Sequence, residues 1–332
     1  METLVITGAG GWLGKNFLRF LQNKHPVRCL LAPWEDKKSL EQSFPEAEWI
    51  PGDLTQERDC QKLLKGCAGG SLVHLAGMIH PKRVKEFYQV NVRGTQFLLE
   101  AAKKEGIRRV VAMSSNSPIG VNPHPEHLFD ERAPYNPYMH YGKSKVLMEQ
   151  AVQASGLETV VIRSPWFYGP EQPPRQVLFF KMVREGKMPI VGSGLNRRSM
   201  AYMDNISEGI VKALYIPKAA GQIYWIADAL PYTMLEIIET LEDVLENRFQ
   251  IPCKKRRLHL PHFVSSTAYG VDRCLQSIGL YHQKIHVLSE MDKTIACSIQ
   301  KAKKELGYDP SISLKEGMFR SIESAIQKKE FP

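Results

Sequence analysis

The chain opens with Thr3-Leu4-Val5-Ile6-Thr7-Gly8-Ala9-Gly10-Gly11-Trp12-Leu13-Gly14, an apolar run of strand length that passes through a glycine-rich turn into an amphipathic segment. A pyrophosphate is bound by backbone N–H groups at a helix N-terminus, and glycine lets the turn bend and the ligand approach closely. The glycines at positions 8, 11 and 14 keep a three-residue spacing, a variant of G-x-G-x-x-G. Because they follow a predicted strand and precede a predicted helix, they predict a dinucleotide-binding turn.

The first half of the chain alternates apolar runs of strand length with longer segments that suit helices. The pattern predicts strands at residues 3–7, 27–31, 48–50, 72–75, 110–114 and 159–163, and helices at residues 12–23, 58–65, 81–105 and 138–154. This alternation is typical of a parallel sheet with helices on both faces. We therefore predict an α/β fold, a Rossmann-type doubly wound parallel sheet with a smaller, mostly helical C-terminal substrate domain.

The chain changes character after residue 163. Turn formers and aromatic residues cluster there, in Ser164-Pro165-Trp166, Gly169-Pro170 and Pro173-Pro174, and such clusters mark boundaries. We predict a dinucleotide-binding domain over residues 1–165 with a returning segment near 197–228, and a substrate-binding domain over residues 166–196 and 229–332. The later pattern predicts helices at 176–185, 204–215 and 234–245, a strand at 222–227, and helices and loops over 259–331.

The composition is that of an ordinary globular protein. Of the 332 residues, 43% are hydrophobic and 24% are charged, which excludes a disordered or collagen-like chain. No run approaches the ~18 apolar residues needed to cross a bilayer, and we expect no secretory signal in the opening residues. The six cysteines are scattered without a C-x-x-C pair, so we expect them to be reduced and the protein to be cytoplasmic.

The net charge of +9 fits either a nucleic-acid binder or a protein that takes anionic cofactors and substrates. The densest basic run, Lys254-Lys255-Arg256-Arg257, comes without any helix-turn-helix, zinc-finger or RNA-recognition signature. We therefore interpret the run as solvated surface and expect a small-molecule substrate and no nucleic acid. No metal site is predicted, because His259, His262, His282 and His286 have no carboxylate or cysteine partners at ligand spacing.

Two further turns lie where strands of such a sheet end. After the third strand, Asp53 could accept a hydrogen bond from an adenine amino group and Leu54 could pack on the adenine ring, or the pair could be a plain surface loop. After the fourth strand, Leu75-Ala76-Gly77 places small residues where backbone would pass close to a cofactor, or forms a plain turn. Both turns are predicted to lie at the ligand-binding edge of the sheet.

The end of the second strand should carry the residue that reads the adenosine ribose, an acid for NAD or a nearby arginine for NADP. The sequence there is Leu31-Ala32-Pro33-Trp34, which contains neither. Lys37 and Lys38 are either ligands of a 2′-phosphate or solvated loop residues. The cofactor choice between NAD and NADP therefore stays open.

An acid–base pair is predicted on one helix. Tyr141 is followed four residues later by Lys145, a spacing that places both side chains on one helix face. A phenol titrates near ~10, and a nearby ammonium favours its ionised form, so Tyr141 could exchange a proton with a substrate hydroxyl. The run Ser114-Ser115-Asn116-Ser117 ends the fifth strand, and Ser115 is our candidate donor to a developing oxyanion.

The order of these features resembles the extended short-chain dehydrogenase/reductase family, which includes NAD-dependent epimerase/dehydratases and 3β-hydroxysteroid dehydrogenase-like enzymes. The matching landmarks are the glycine turn, Asp53, Leu75-Ala76-Gly77, Asn91-Val92-Arg93-Gly94-Thr95, Ser114-Ser115, Tyr141 with Lys145, Arg163 with Tyr168-Gly169-Pro170, Arg198 to Asn205, and Leu306-Gly307-Tyr308-Asp309-Pro310. They cover nearly the whole chain.

The resemblance implies a role for each landmark. The cofactor, NAD or NADP, would contact the residues Gly8, Gly11, Trp12, Leu13, Asp53, Leu54, Leu75, Ala76, Gly77, Ser114, Tyr141 and Lys145. Ser115, Tyr141 and Lys145 would be catalytic, with Lys145 lowering the pKa of the tyrosine. Asn91 would either orient the region behind the lysine or tie a helix to the sheet.

Departures from the family pattern bear on the substrate, for which Ser117, Trp166 and Arg198 are the candidate contacts. Sugar-nucleotide dehydratases usually place acids beside the active-site Ser/Thr, and none follows Ser115, which disfavours dehydration. Trp166 stands where many nucleotide-sugar enzymes have asparagine, and an indole suits a flat or apolar ligand. Arg198, in contrast, matches a position where some epimerases bind a nucleotide diphosphate.

Three functions follow from this reading. The first is NAD(P)-linked interconversion of a secondary alcohol and a ketone on a flat or apolar ring substrate. The second is nucleotide-sugar epimerisation with the same hydride chemistry, and the third is a catalytically silent cofactor-sensing regulator.

A homodimer through the helices at residues 81–105 and 138–154 would follow from the resemblance. Residues 260–287 form either the core of a helical cap, an apolar wall over the substrate, or a weak contact with a lipid surface.

Overall fold

The computed structural model describes residues 2–331. In chain order the strands are β1 (Leu4–Thr7), β2 (Val27–Leu31), β3 (Ala47–Pro51), β4 (Ser71–His74), β5 (Arg109–Ser115), β6 (Glu158–Ser164), β7 (Trp166–Tyr168), β8 (Pro189–Val191), β9 (Arg197–Arg198), β10 (Met200–Tyr202), β11 (Ile223–Trp225), β12 (Tyr232–Thr233) and β13 (Leu258–Leu260).

The α-helices are α1 (Trp12–Leu21), α2 (Lys37–Ser43), α3 (Glu57–Leu64), α4 (Val84–Phe87), α5 (Thr95–Lys104), α6 (Met139–Ala154), α7 (Pro174–Arg184), α8 (Met203–Tyr215), α9 (Met234–Phe249), α10 (Phe263–Ser277), α11 (Gln283–Glu290), α12 (Gln300–Leu306) and α13 (Leu314–Gln327). A π-helical segment, Tyr88–Gly94, joins α4 to α5, and a short 3₁₀ turn, Pro217–Ala219, follows α8.

Seven strands form one parallel sheet in the order β11-β6-β5-β4-β1-β2-β3. The strand order reverses between β1 and β4, and ligands of such sheets bind at this switch point, beyond the carboxyl ends of the strands. The arrangement confirms the predicted doubly wound α/β fold. Each of the six predicted strands overlaps a strand of this sheet, and the strand predicted at residues 222–227 is the seventh, β11.

The helix predicted over residues 81–105 is helical from Val84 to Lys104. Arg83 pairs with Leu280 in an isolated β-bridge, so the helical course begins only at Val84. Its middle part is the π-helical segment, and the Thr95 hydroxyl at the start of α5 donates to the Asn91 carbonyl of that segment at 2.8 Å. The sequence analysis also missed α2, which begins after Asp36, whose carboxylate accepts from the backbone N–H groups of Lys38 and Ser39.

Hydrophobic cores lie on both faces of the central sheet, and a further core forms away from it. The further core is built mainly from α7, α9 and α13 together with β7 and β10. The predicted domain boundaries at residues 165, 196 and 229 stay a prediction. All six cysteines are free, and no helix within residues 2–331 has the length and apolar character to cross a membrane.

Close packing of α1 against the end of β1 depends on glycine. A Cβ added to Gly14 would lie 2.1 Å from the Gly8 carbonyl oxygen and 2.5 Å from the Ala9 Cα. Both neighbours are backbone and cannot move aside independently of the turn. Helix α1 therefore approaches the turn more closely than any residue with a side chain at position 14 allows.

We predict that Gly14→Ala lowers the free energy of unfolding by about 1–3 kcal/mol and weakens dinucleotide binding, because the helix must move away from the turn. The matched control is Gly270→Ala in α10, where an added Cβ meets nothing within 4 Å. There, alanine should raise stability by roughly 0.5–1 kcal/mol. Chemical denaturation and dinucleotide titration measure both effects, and equal losses in the two variants would contradict the packing argument.

Candidate active site

The glycine turn and the loop after β4 meet at the sheet edge. Gly8 has a φ of +73°, and a Cβ added to it would lie 2.6 Å from the Ala76 backbone nitrogen. Gly11 donates its N–H to the Gly8 carbonyl at 3.1 Å and stands at the N-terminus of α1. No side chain caps this helix and its first turn carries no acid, so its N–H groups suit an anionic ligand such as a pyrophosphate.

The first residues of α1 connect the turn to the substrate side of the molecule. The Trp12 indole N–H donates to the Pro170 carbonyl at 2.7 Å, and the Asn16 amide donates to the same oxygen at 3.2 Å. Leu13 is buried in the core. Trp12 therefore holds α1 to the turn that follows β7, and it can contact a dinucleotide chiefly through its backbone.

Asp53 and Leu54 follow β3, as the sequence predicted. One Asp53 carboxylate oxygen accepts from the Thr55 N–H at 2.8 Å and from the Thr55 hydroxyl at 2.9 Å, so it is engaged within its own turn. Leu54 is buried, and a Cβ added to Gly94 would lie 2.9 Å from its Cγ. The pair is fixed in place, and only the second Asp53 oxygen remains for an adenine amino group.

Small residues after β4 bring the backbone close to the candidate catalytic lysine. Gly77 is exposed, and a Cβ added there would lie 3.5 Å from the Asn91 side-chain oxygen and 3.7 Å from Lys145 Nζ. Asn91 is buried; its amide oxygen accepts from the Met78 N–H at 2.7 Å and its amide nitrogen donates to Ser144 Oγ at 3.0 Å. Asn91 thus ties this loop to α6.

Lys145 lies buried beneath this loop. Its ammonium donates to the Met113 carbonyl at 2.8 Å and contacts Met148 Sδ at 3.1 Å. Burial lowers the pKa of Lys145 to about 8, and the nearby Glu149 carboxylate opposes this shift. The lysine therefore remains an available cationic donor at neutral pH, facing the backbone of Gly77.

Ser114 bonds to Glu149 and helps to hold α6 on the sheet. Its hydroxyl donates to Glu149 at 2.5 Å, and Glu149 also accepts from Arg163 at 2.7 Å and from the Tyr135 hydroxyl at 2.9 Å. Ser114, Glu149 and Arg163 are all buried. The Ser114 side chain is thus committed to the protein, so a cofactor contact by Ser114 would have to come from its backbone.

The Tyr141 hydroxyl lies beside Ser115 at the end of β5. Burial raises the pKa of Tyr141 to about 12; hydrogen bonding with Ser115 and the charge of Arg175 act in the lowering direction, whereas Glu290 raises it further. The lowering of the tyrosine pKa by Lys145 stays a prediction. The Tyr141 ring packs against Phe87 with their centroids 5.7 Å apart.

The serine cluster bonds within itself. The Ser115 hydroxyl accepts from the Ser117 N–H at 3.3 Å and lies 3.4 Å from the Ser117 hydroxyl. It also donates to the Asn116 side-chain oxygen at 3.3 Å. All three contacts are long for hydrogen bonds between such groups, so the Ser115 hydroxyl can turn toward a substrate oxygen without losing a strong partner.

The remaining predicted substrate residues lie on the short strands next to the cleft. Trp166, on β7, is half-buried with its ring 5.7 Å from that of Phe179. Arg198, on β9, donates to the Glu290 backbone carbonyl, and its buried Nε has no hydrogen-bond partner in the described part of the chain. Burial lowers the pKa of Arg198, while the nearby Glu290 and Asp292 carboxylates raise it.

Comparison with known proteins identifies the family. Residues 4–227 match the family described as NAD dependent epimerase/dehydratase, more than half of the chain and including the glycine turn, Ser115, Tyr141 and Lys145. The chain belongs to this family. It is an NAD(P)-dependent enzyme of the extended short-chain dehydrogenase/reductase group, as the sequence predicted.

Relatives of this epimerase/dehydratase family member cover most of its length. The uncharacterized protein y4nL of Sinorhizobium fredii (strain NBRC 101917 / NGR234) is 48% identical over 98% of this chain and 95% of that protein. The N-acetyl-alpha-D-glucosaminyl-diphospho-ditrans,octacis-undecaprenol 4-epimerase of Escherichia coli O157:H7 is 29% identical over 79% and 76%. The 3beta-hydroxysteroid-dehydrogenase/decarboxylase isoform 1 of Arabidopsis thaliana is 27% identical over 96% and 79%.

The structure adds an acid that the sequence analysis missed. Glu35 directly follows Trp34, at the end of the turn after β2, and its carboxylate accepts from the Ala32 N–H at 2.8 Å. A Cβ added to Gly10 would lie 2.4 Å from its Oε1, so the carboxylate lies against the glycine turn. Extending the search past Trp34 would have found Glu35, but its return to the turn depends on the local loop geometry.

A basic residue was missed as well. Arg175 lies in the first turn of α7, and burial lowers the pKa of its guanidinium while the nearby Tyr281 and Tyr141 raise it. It also lowers the pKa of His80, whose Nδ1 lies 2.8 Å from the Tyr281 hydroxyl. No motif points to Arg175, because its position beside Tyr141 arises from packing between residues that are distant in the sequence.

We predict that Lys145 makes stability depend on pH. Its pKa in the folded chain is about 8 against an ordinary value of 10.5, so above about pH 8 the unfolded chain binds a proton that the folded chain has lost. The free energy of unfolding, compared with that of Lys145→Met, should therefore rise by about 1 to 2 kcal/mol between about pH 7.5 and about pH 9.5.

Urea denaturation of the two proteins at both pH values measures this double difference. Subtracting the value for Lys145→Met from that for the wild type at each pH removes the contribution of the cysteines, tyrosines and remaining lysines, which titrate in both proteins. A wild-type-minus-variant difference that stays flat, or falls, over this range would show that the Lys145 ammonium is not destabilised by burial.

Proposed function

We propose that the protein is an NAD-dependent oxidoreductase that interconverts a secondary alcohol and a ketone on a flat or apolar ring substrate. The observation that carries this proposal is the engagement of Arg198. Its guanidinium already donates to the Glu290 carbonyl and lies near the Glu290 and Asp292 carboxylates. A substrate diphosphate at that arginine would meet two negative charges, which disfavours a nucleotide-sugar ligand there.

The surroundings of Tyr141 are aromatic. The buried Phe87 packs against Tyr141 with centroids 5.7 Å apart, and the buried Tyr281 meets Phe87 edge to face at 5.4 Å. These apolar surroundings favour an apolar ring as the substrate. The 27% identity with the Arabidopsis 3beta-hydroxysteroid-dehydrogenase/decarboxylase supports the same substrate class.

Each catalytic residue has a defined part in this proposal. Tyr141 exchanges a proton with the substrate oxygen, and Ser115 donates a hydrogen bond to that oxygen as it gains negative charge. Lys145 presents its ammonium at the backbone of Gly77, where it can hold a ribose hydroxyl and favour the tyrosinate. A nicotinamide dinucleotide bound at the glycine turn supplies the acceptor or donor of hydride.

We propose NAD as the cofactor, because Glu35 lies where the adenosine ribose is read. Its carboxylate is held against Gly10 and can accept hydrogen bonds from ribose hydroxyls. The 2′-phosphate of NADP would be repelled by it. Lys37 and Lys38 are exposed, and Lys37 pairs with Glu41 at 3.5 Å, which fits solvated residues better than phosphate ligands.

Nucleotide-sugar epimerisation is the second candidate. Two observations favour it: the buried Arg198 Nε has no partner in the described chain, and the charge of Arg175 acts on Tyr141. Either could bind a phosphate. The 29% identity with the Escherichia coli undecaprenol-linked 4-epimerase points the same way.

A cytoplasmic homodimer completes the proposal. The six free cysteines suit a reducing compartment. Leu147 is exposed on α6, one of the two helices through which a dimer is expected, and would be covered by the partner.

The function is tested by incubating the enzyme with NAD and a panel of cyclic secondary alcohols, including 3β-hydroxysteroids, and by monitoring NADH. A parallel incubation with UDP-sugars is analysed for epimers formed without net NADH. We expect NADH from an apolar cyclic alcohol and a rate about 10²–10⁴-fold lower in Tyr141→Phe, because that variant lacks the acid–base group.

Tyr88→Phe is the matched control, since the Tyr88 hydroxyl contacts His140 at 2.7 Å outside the catalytic group. It should retain activity. Epimer formation with no oxidation of any alcohol would replace the first proposal with the second. Undiminished activity of Tyr141→Phe would remove the tyrosine from the mechanism altogether.

The cofactor proposal predicts a change in selectivity for Glu35→Gln. The wild type should bind NAD at least about tenfold more tightly than NADP, and the variant should lose most of that preference because the repelling charge is gone. Calorimetric titration of both dinucleotides measures the ratio. Asp36→Asn, which changes the next acid in a helix cap, is the control, and equal selectivity losses in the two variants would rule out a specific role for Glu35.

A further inference from the structure

Helix α10 buries mostly polar residues and leaves its largest apolar side chain, Phe263, in solvent, while Val264 and Leu275 are half-buried. The four buried positions of this helix are Ser265, Ala268, Asp272 and Gln276, of which only Ala268 is apolar. A helix packed on a soluble protein normally has the opposite arrangement, with its apolar stripe against the core.

Hydrogen bonds hold the inner face of α10. The Asp272 carboxylate bonds to His286 Nδ1 at 2.7 Å and accepts from the Gln276 amide at 2.9 Å. The Gln276 side-chain oxygen accepts from the His140 N–H at 3.1 Å, which attaches α10 to the start of α6. Specific polar contacts therefore satisfy the buried polar groups of the inner face, and the exposed apolar residues of α10 take no part in these contacts.

The outer face of α10 carries an apolar stripe, built on Phe263, Val271 and Ile278 and interrupted by Thr267 and Gly270. Phe263 and Ile278, at its two ends, are 67% and 68% exposed, and Val271 between them is also exposed. The positions i, i+4, i+7, i+8, i+11 and i+15 share one side of a helix, and here they carry Phe263, Thr267, Gly270, Val271, Cys274 and Ile278. Leu280 and Val287 extend the exposed apolar surface beyond the helix.

Basic side chains border this stripe. Arg273 and Lys284 are exposed on the α10–α11 hairpin, and the bridge between Arg83 and Leu280 brings exposed Lys82 and Arg83 to the Ile278 end. The acid of α10, Asp272, is buried and bonded to His286. The exposed charge beside the stripe is therefore predominantly positive.

We propose that the outer face of α10, with its basic border, docks on an anionic lipid bilayer. An apolar helix face bordered by Lys and Arg inserts into the boundary between headgroups and acyl chains, and anionic lipids attract the basic border. A second copy related by a two-fold axis is disfavoured, because an isologous contact brings Arg273, Lys284 and Arg83 against their own copies. The bilayer covers the apolar stripe and neutralises these charges together.

The docked face lies next to the catalytic cleft. Tyr281 follows Leu280 directly, its hydroxyl is 2.8 Å from His80 Nδ1, and its ring meets that of Phe87, which packs on Tyr141. Docking thus orients the cleft toward the bilayer, from which an apolar substrate can enter. That last step rests on the proposed function, whereas the docking itself does not.

Vesicle flotation of the full chain tests the proposal without any substrate. The probes are vesicles of phosphatidylcholine alone and of phosphatidylcholine mixed with phosphatidylglycerol. We expect binding to the mixed vesicles that weakens at high salt. Binding should fall at least about tenfold in Phe263→Ser/Ile278→Ser, because two large side chains no longer leave water. Arg273→Glu/Lys284→Glu should lose the preference for phosphatidylglycerol.

The matched control is Tyr215→Ser/Leu230→Ser, whose side chains are 44% and 68% exposed. Tyr215 stacks on His25, after α1, and neither residue belongs to the α10–α11 hairpin. It should bind vesicles like the wild type. Circular dichroism and NAD titration establish that each variant is folded. The proposal is overturned by a folded wild type that ignores both vesicles, by equal losses in the α10 and control variants, or by a dimer that Phe263→Ser/Ile278→Ser dissociates. Because no turnover is measured, failure of the proposed reaction leaves this result intact.

Discussion

A buried ion pair between Arg163 on β6 and Glu149 on α6 connects the helix that carries Tyr141 and Lys145 to the sheet. Glu149 also accepts from Ser114 on β5 and from Tyr135, so one carboxylate joins two strands, a helix and a loop. Removing water from both charges is expensive, and a buried pair tolerates the loss of neither partner. This contact fixes the position of α6 against the sheet, and with it the place where Tyr141 and Lys145 lie beside the end of β5.

The Glu149 carboxylate also affects the pKa of Lys145. Burial pushes Tyr141 and Lys145 in a common direction, toward the neutral form, raising the pKa of the phenol and lowering that of the ammonium. Glu149 counteracts the shift at Lys145 and keeps the lysine cationic near neutral pH. Ser115 counteracts the shift at Tyr141. Tyr141 and Lys145 are thus both desolvated, which strengthens their electrostatic interactions. In each case one neighbour moves the pKa part of the way back toward its ordinary value.

In the α10–α11 hairpin, polar side chains make the buried contacts and large apolar side chains are exposed. The α10–α11 hairpin is attached through Asp272, Gln276 and His286, and its apolar stripe is left outside. Burial of apolar area is non-directional, whereas hydrogen bonds fix a register. Such an attachment can hold Tyr281 against Phe87 and His80 while leaving the apolar surface available to another phase.

The sequence alone predicted the parallel sheet, the glycine turn at its switch point and the shared helix face of Tyr141 and Lys145. Each of these depends on local periodicity or on spacing along a single element, which a sequence displays directly. Other features depend on the tertiary structure. It places Glu35 against Gly10 and brings the charge of Arg175 near Tyr141. It also bonds Arg198 to the Glu290 carbonyl and leaves large apolar side chains on the outer face of α10. These features join residues that are far apart in the chain, or depend on which face of a helix finds a partner, and only the packed chain settles such contacts.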